Sequence, residues 1–232
     1  TTSQGATESN VKLLCCQSST STTAATVTPG TITQGGNPRS SGFGPFQTGE
    51  DAKGGMVWMK SRDNSYWHSV VDTVRGANKT VYPNSPWQEE TLTNLLNSFN
   101  NSGFTAAYNS SYSGVFTNKN HDNYASWTFA IQEGFFDIQT WDGNNTAGRQ
   151  LPHNLGSVPG CIMVKATAPT NNSGDWMVYH RDLGATHRIK LNSGTTSNTT
   201  SSWNDVVPTS TYVELGSNTG VNASGTSYVG YF

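Results

Sequence analysis

The stretch Met56-Val57-Trp58-Met59-Lys60 returns in altered form as Ile162-Met163-Val164-Lys165, with Val57 and Ile162 standing 105 positions apart. Both are short, largely apolar runs, the first with Val57 and Trp58 and the second with Ile162 and Val164, the β-branched or aromatic composition of a half-buried strand. The likeness continues outward from them. Trp67-His68-Ser69-Val70-Val71-Asp72 roughly matches Trp176-Met177-Val178-Tyr179-His180-Arg181, and Gly76-Ala77-Asn78-Lys79-Thr80-Val81 matches Gly184-Ala185-Thr186-His187-Arg188-Ile189. The run Asn123-Tyr124-Ala125-Ser126-Trp127 resembles Ser227-Tyr228-Val229-Gly230-Tyr231. The order and near-constant offset predict two related β units of about 75–100 residues each, too few copies for a solenoid.

The segments between these matches are also strand-like. Tyr66–Asp72 and Lys79–Tyr82 read as strands around a turn at Arg75-Gly76-Ala77-Asn78, and Ser98–Thr105 reads as a hairpin about Asn100-Asn101-Ser102-Gly103. From Tyr124 to Ile131, Ala125, Trp127, Phe129 and Ile131 fall on one side and Tyr124, Ser126, Thr128 and Ala130 on the other, the period of two of a strand with one apolar face. Further strands are expected at Phe135–Trp141, Cys161–Lys165, Asp175–His180, His187–Leu191, Thr211–Leu215 and Thr226–Phe232. Ser85-Pro86-Trp87-Gln88 offers a capping serine, a proline in the first turn and a glutamine three after the cap. With Leu92, Leu95, Leu96 and Phe99 at helical spacing, 87–96 reads as a short helix, a strand or an irregular loop. Short strands at this density with polar turns between them predict an all-β, antiparallel sandwich-like fold, in which 51–131 form a first β unit and 132–232 a second.

Residues 1–50 differ. Their one concentrated apolar run is Val11-Lys12-Leu13-Leu14-Cys15-Cys16, followed by a Ser/Thr/Ala tract and by punctuation such as Pro29-Gly30 and Gly35-Gly36-Asn37-Pro38. This is expected to be an extended N-terminal arm whose Val11, Leu13 and Leu14 serve assembly. Of the 232 residues 33% are hydrophobic and 12% charged, with a net charge of −2. That balance gives no basic face for nucleic acid, and no run approaches the length needed to insert in a membrane. The three cysteines, Cys15, Cys16 and Cys161, match no zinc spacing and are read as buried, reduced side chains.

Candidate chemistry is sparse. Glu89-Glu90 and the scattered Asp137, Asp142, Asp175, Asp182 and Asp205 show no pattern that sets two carboxylates face to face, as a glycoside hydrolase needs. His68, His121, His153, His180 and His187 form no metal-ligand motif, no nucleophile elbow or phosphate loop is present, and no cofactor, metal or catalytic residue is expected. His153, Asn154, Gly156 and Pro159 are read as a structural turn, with His153 fixing it through ring hydrogen bonds. The seven tryptophans and nine tyrosines are read mainly as core or interface rings. Trp87 and Trp203, in polar surroundings, are expected at the surface, and with Asp142 and Asn144 they are the candidates for recognition of a polysaccharide.

Asn10-Val11-Lys12-Leu13-Leu14-Cys15-Cys16-Gln17-Ser18 resembles the opening of virion-associated proteins of marine bacteriophages. Asp72-Thr73-Val74-Arg75-Gly76-Ala77 resembles their middle region, as does the run from Phe135-Phe136-Asp137-Ile138-Gln139-Thr140 through Gly148-Arg149 to His153-Asn154-Leu155-Gly156-Ser157-Val158-Pro159-Gly160. Trp176–His180, Trp203-Asn204-Asp205 and Val221-Asn222-Ala223-Ser224-Gly225 continue the likeness, which covers most of 10–232. The resemblance extends to modules of phage tail fibres and implies a lectin- or laminin-G-like sandwich. It also implies a non-enzymatic structural protein on the external surface of a virion, in a tail fibre, capsid fibre or decoration. The expected partners are copies of itself in a homo-oligomer such as a trimer, other virion proteins and a host surface polysaccharide. A carbohydrate-binding receptor-recognition module and a glycoside hydrolase are the alternative readings.

Overall fold

A computed structural model describes residues 14–15, 25–27, 54–100, 103–108, 114, 117–169, 174–198 and 201–232. The chain divides into two compact units, Thr1–Gly44 and Pro45–Phe232. In the first, β1 (Leu14–Cys15) pairs antiparallel with β2 (Ala25–Val27). Leu14 thus lies on a strand, while Val11 and Leu13 lie outside the described residues.

The second unit is all-β and antiparallel. Its strands are β3 (Gly55–Ser61), β4 (Ser69–Asp72), β5 (Lys79–Thr80), β6 (Glu90–Thr91), β7 (Leu96–Asn100), β8 (Gly103–Ala106) and β9 (Tyr124–Ala130). They continue with β10 (Ile138–Asp142), β11 (Arg149–Pro152), β12 (Cys161–Ala166), β13 (Met177–His180), β14 (His187–Lys190), β15 (Thr195–Asn198), β16 (Tyr212–Leu215) and β17 (Ser227–Tyr231). One short helix, α1 (Thr219–Asn222), precedes β17. A three-stranded sheet runs β4-β3-β9 and a six-stranded sheet β10-β17-β12-β13-β14-β15, with β5-β6, β7-β8 and β11-β16 as separate pairs.

The repeat seen in the sequence is a repeat of hydrogen-bond register. Trp58 pairs with Val70 on one side and Trp127 on the other, and Met163 pairs with Val178 and Tyr231. The next strand continues the row, Val70 meeting Val81 and Val178 meeting Ile189. The turns agree as well: Gly76 donates to Asp72 O (2.9 Å), and Gly184 donates to His180 O (3.2 Å). One equivalence read from the sequence is corrected by a residue. Register sets His68, not Trp67, opposite Trp176 in the comparison, because Trp176 shares a face with Val178 as His68 does with Val70. The two indoles accordingly differ in burial, Trp67 being 38% exposed and Trp176 1%.

Alternation of side chains along the strands builds three apolar layers. Val57 and Met59 of β3 pack with Val71, Tyr82, Leu92, Leu95 and Leu96 in a core belonging to the first repeat. Ile162, Val164 and Ala166 of β12 pack with Trp141, Leu151, Trp203, Leu215 and Phe232 in a core belonging to the second. Between the two sheets lies a shared layer containing Met56, Val70 and Val81 from one repeat and Phe136, Trp176, Val229 and Tyr231 from the other. Trp58 and Met163, which are equivalent residues, both pack against this layer, so each repeat turns the same face inward.

The segment 87–96 is not helical. It holds the two-residue β6 and a turn in which Asn94 has φ 62°, a left-handed conformation that breaks a helix and that asparagine tolerates. Leu92, Leu95 and Leu96 are buried, so their spacing reports a core contact made by a turn and the first residue of β7.

Candidate functional site

The shared layer has two ends with opposite character. One is closed by Arg75. The Asp72 side chain first shapes the turn, its Oδ1 accepting the backbone N–H groups of Val74 (3.0 Å) and Arg75 (2.8 Å). Its Oδ2 then accepts from Arg75 Nε (2.6 Å) and from the Tyr231 hydroxyl (2.8 Å). The remaining guanidinium nitrogens reach Glu89 Oε2 (3.0 Å), Val70 O (3.1 Å) and the Tyr231 oxygen (2.9 Å). The Arg75 and Asp72 side chains are 5% and 0% exposed. Burial opposes the Arg75 charge, but Tyr231, Asp72 and Glu89 outweigh it and hold its pKa above the ordinary value. Burial pushes Tyr231 well above a normal phenol, with the Arg75 charge opposing and Asp72 reinforcing the shift, so its hydroxyl keeps its proton. The constellation joins the first repeat to the second through groups that are each satisfied, the condition under which a buried ion pair is tolerable.

The other end is open. By the same register His180 stands where Asp72 does, and Trp127 stands where Tyr231 does. Here a cleft of about 590 Å³ runs between the sheets, with Trp58, Phe129, Phe135 and Met163 on its walls and His180, Arg181 and Asp182 at its polar edge. Phe129 stacks on Phe135 at 6.3 Å between centroids, and Trp58 meets Trp127 edge-on at 6.2 Å. Phe135 is 60% exposed and Trp127 50%. The Trp58 indole is oriented by donating to His68 Nδ1 (3.2 Å), while burial, aided by Lys60, lowers the His68 pKa and favours the neutral ring that can accept. Cys161 also lines the cleft as an exposed free thiol, which corrects the expectation that it is buried. Flat apolar rings beside a cation and a carboxylate can hold a ring-shaped polyhydroxyl ligand by stacking and hydrogen bonding.

The four residues marked from sequence for recognition do not form this site. Trp87 is exposed as expected. Trp203 is fully buried in the core of the second repeat, packs edge-on against Tyr179 at 5.9 Å and donates from Nε1 to His187 O (3.0 Å). Its polar neighbours Asn204 and Asp205 misled the reading because both adopt positive φ, turning the chain so that one indole points inward. Asp142 is exposed and accepts from Ser227 Oγ (2.6 Å). Asn144 fastens a turn, its Oδ1 accepting from Thr146 N and its own N–H donating to Asn222 Oδ1 (3.1 Å). Between them a β-carbon on Gly143 would lie 2.0 Å from Ala223 O, so the loop sits directly on the end of α1 and only glycine fits.

At the 153–159 turn His153 Nδ1 accepts from Leu155 N–H (3.3 Å), and the opposite ring nitrogen lies 3.2 Å from Thr209 O. Asn154 N–H donates to Asp137 Oδ2 (2.7 Å), Gly156 has φ 68°, and Pro159 is buried. Burial lowers the His153 pKa, against smaller opposing effects of Thr209 and Asp137.

Two buried cations escaped the sequence reading. Arg75 was seen only as part of a turn. Lys165 appeared only as the polar end of a strand, yet it is 0% exposed and donates to Pro86 O (2.8 Å) and Gly174 O. Its burial lowers its pKa to about 8, against the opposing Asp175 charge. The signal for Lys165 was its place in the repeat opposite Lys60, which is only half-buried. Among the described residues no group of three His, Cys, Asp or Glu side chains is placed to hold a metal ion.

No curated protein and no solved structure significantly matches the chain. A family model does, over residues 31–232, and on that span the protein belongs to the family described as Domain of unknown function (DUF7483).

Proposed function

We propose that the protein is a non-catalytic structural subunit of an external bacteriophage appendage, a tail fibre or capsid fibre, assembled with copies of itself and with other virion proteins. The ordered likeness of Asn10–Ser18, Asp72–Ala77 and Phe135–Gly160 to phage virion-associated proteins supports this reading. The observation that carries it is the division of labour within the shared layer. A buried ion-pair hub locks two β repeats together at one end, and an aromatic cleft is left accessible at the other. Such a scaffold is suited to holding a surface many times over in an assembly, where repeated weak contacts sum to firm attachment. Antibodies against residues 45–232 should label fibres or shell decorations on purified particles, and its peptides should co-purify with them through a density gradient. Recovery solely in the particle-free fraction refutes the reading.

The cleft favours a second reading, recognition of a host surface polysaccharide. Phe135 and Trp58 offer stacking faces, and Arg181 and Asp182 offer hydrogen bonds to hydroxyls. Binding on an array of bacterial polysaccharides that is lost in Arg181→Ala supports it; binding that survives Arg181→Ala and Phe135→Ala together moves recognition elsewhere. A hydrolase would need two facing carboxylates, and Asp182 is the one carboxylate among the described lining residues.

A further inference from the structure

The closing strands of the two repeats, β9 and β17, are equivalent but differently neighboured. Arg62 N–H bonds Asn123 O (2.8 Å) and Ile131 N–H bonds Gly54 O (2.9 Å). The intervening antiparallel ladder therefore turns the main-chain groups of Ala125, Trp127 and Phe129 toward β3, and those of Tyr124, Ser126, Thr128 and Ala130 away from it. In β17 the same parity holds. Thr167 N–H bonds Ser227 O (2.8 Å), so Ser227, Val229 and Tyr231 face β12, while Tyr228, Gly230 and Phe232 face away. In the second repeat those outward groups are met by β10 and its extension, Phe232 and Asp137 exchanging both bonds at 3.0 and 3.1 Å. Among the described residues no strand occupies the matching place beside β9.

This edge, unpaired among the described residues, lacks three of the usual guards against strand addition. Tyr124–Ala130 contains no charge and no proline, pairs with β3 without a register shift, and leaves Trp127 half exposed at its centre. It is also self-complementary. In an antiparallel pairing of two copies centred on Trp127, Ser126 exchanges hydrogen bonds with Thr128 of the partner subunit, and Tyr124 with Ala130 of the partner subunit. Every outward group is then used. Trp127 meets its own copy in a non-hydrogen-bonded pair, the type with the closer side chains, which covers the exposed indole.

We infer that β9 is a dimerisation edge, joined to β9 of a second copy of this chain about a twofold axis through Trp127. The sheet β4-β3-β9 thereby continues into the partner's. This deepens the reading of the protein as a self-assembling subunit. The dimer can fail while particle association stands, and the reverse, so the two tests are separable.

The test is the mass of the full chain in solution, by analytical ultracentrifugation across a concentration series. Thr128→Pro removes an outward N–H and leaves the β3 ladder intact; it should halve the mass of the associated species. Ser126→Glu with Thr128→Glu sets like charges opposite each other across the twofold and should weaken association tenfold or more, whereas Ser126→Lys with Thr128→Glu sets opposite charges there and should restore it. If Thr128→Pro fails to fold, the two charge variants decide the matter. Equal masses for all variants, a wild type that stays monomeric throughout, or equal effects of the two charge variants overturns the proposal.

Discussion

At one end of the layer between the sheets, Asp72, Arg75 and Tyr231 close a buried polar network. At the equivalent end, no hydrogen bond joins His180 to Trp127, and His180 borders an open cleft. Equivalent backbones thus support opposite outcomes, and the difference lies in a few side chains. Where the turn after β4 supplies Arg75 three residues beyond an aspartate, the following turn in the second repeat supplies Leu183, which is 38% exposed. The first repeat can therefore reach across the layer with a charged side chain and the second cannot. In this fold an accessible cleft opens where the repeat symmetry is left unsatisfied.

The sharpest way to break the comparison is at Arg75. Arg75→Met leaves Asp72 buried beside Tyr231 without its cation and should cost about 3–5 kcal/mol, read as a fall in denaturation midpoint at unchanged slope. A loss below about 1 kcal/mol would mean that the hub behaves like a surface pair. Tyr231→Phe keeps the ring but removes the hydroxyl that bridges the repeats. It should cost roughly 1–2 kcal/mol, and its effect should be strongly non-additive with Arg75→Met in a double-mutant cycle.

Acidification tests the cleft end. His68 and His153 have pKa values below the ordinary 6.5 because burial disfavours the cation. The unfolded chain then takes up protons before the folded one does. Stability is greatest above the unfolded pKa and declines as pH falls through about 6.5 toward the folded values. Thermal midpoints should drop between neutral pH and pH 5, and His153→Gln should flatten that slope; an unchanged slope refutes the assignment. The smallest effect is expected at Phe135, whose exposed ring stabilises little. Phe135→Ala should change stability by no more than about 0.5 kcal/mol while removing any polysaccharide binding by the cleft, a separation of readouts that the closed end cannot give.

Much of the β architecture was legible because it depends on alternation and on turn residues, which are local. The strands at Met56–Lys60, Tyr124–Ile131, Cys161–Lys165 and Thr226–Phe232 carry apolar or alternating runs, and the structure places β3, β9, β12 and β17 there. In the second unit the pieces not read, β11, β15 and α1, lack that signal. Gln150-Leu151-Pro152 contains a proline tolerated on a two-stranded pair, Thr195–Asn198 is a polar edge, and Thr219-Gly220-Val221-Asn222 holds a glycine that a helix interior disfavours. The site was less legible still. Its members come from β3, β9, the 134–136 turn, β12 and the turn after β13, and only the pairing of sheets brings them together. Trp203 shows the same limit from the other side, since polar neighbours say nothing about which way a ring points when two positive-φ residues follow it.

Because matching surfaces of the two repeats face one another, the polypeptide has the arrangement of a symmetric pair written into a single gene product. Covalent fusion frees such a pair from having to mutate both members together. One copy can keep the arginine clasp that secures the whole, while the other is at liberty to drift toward whatever its opening touches.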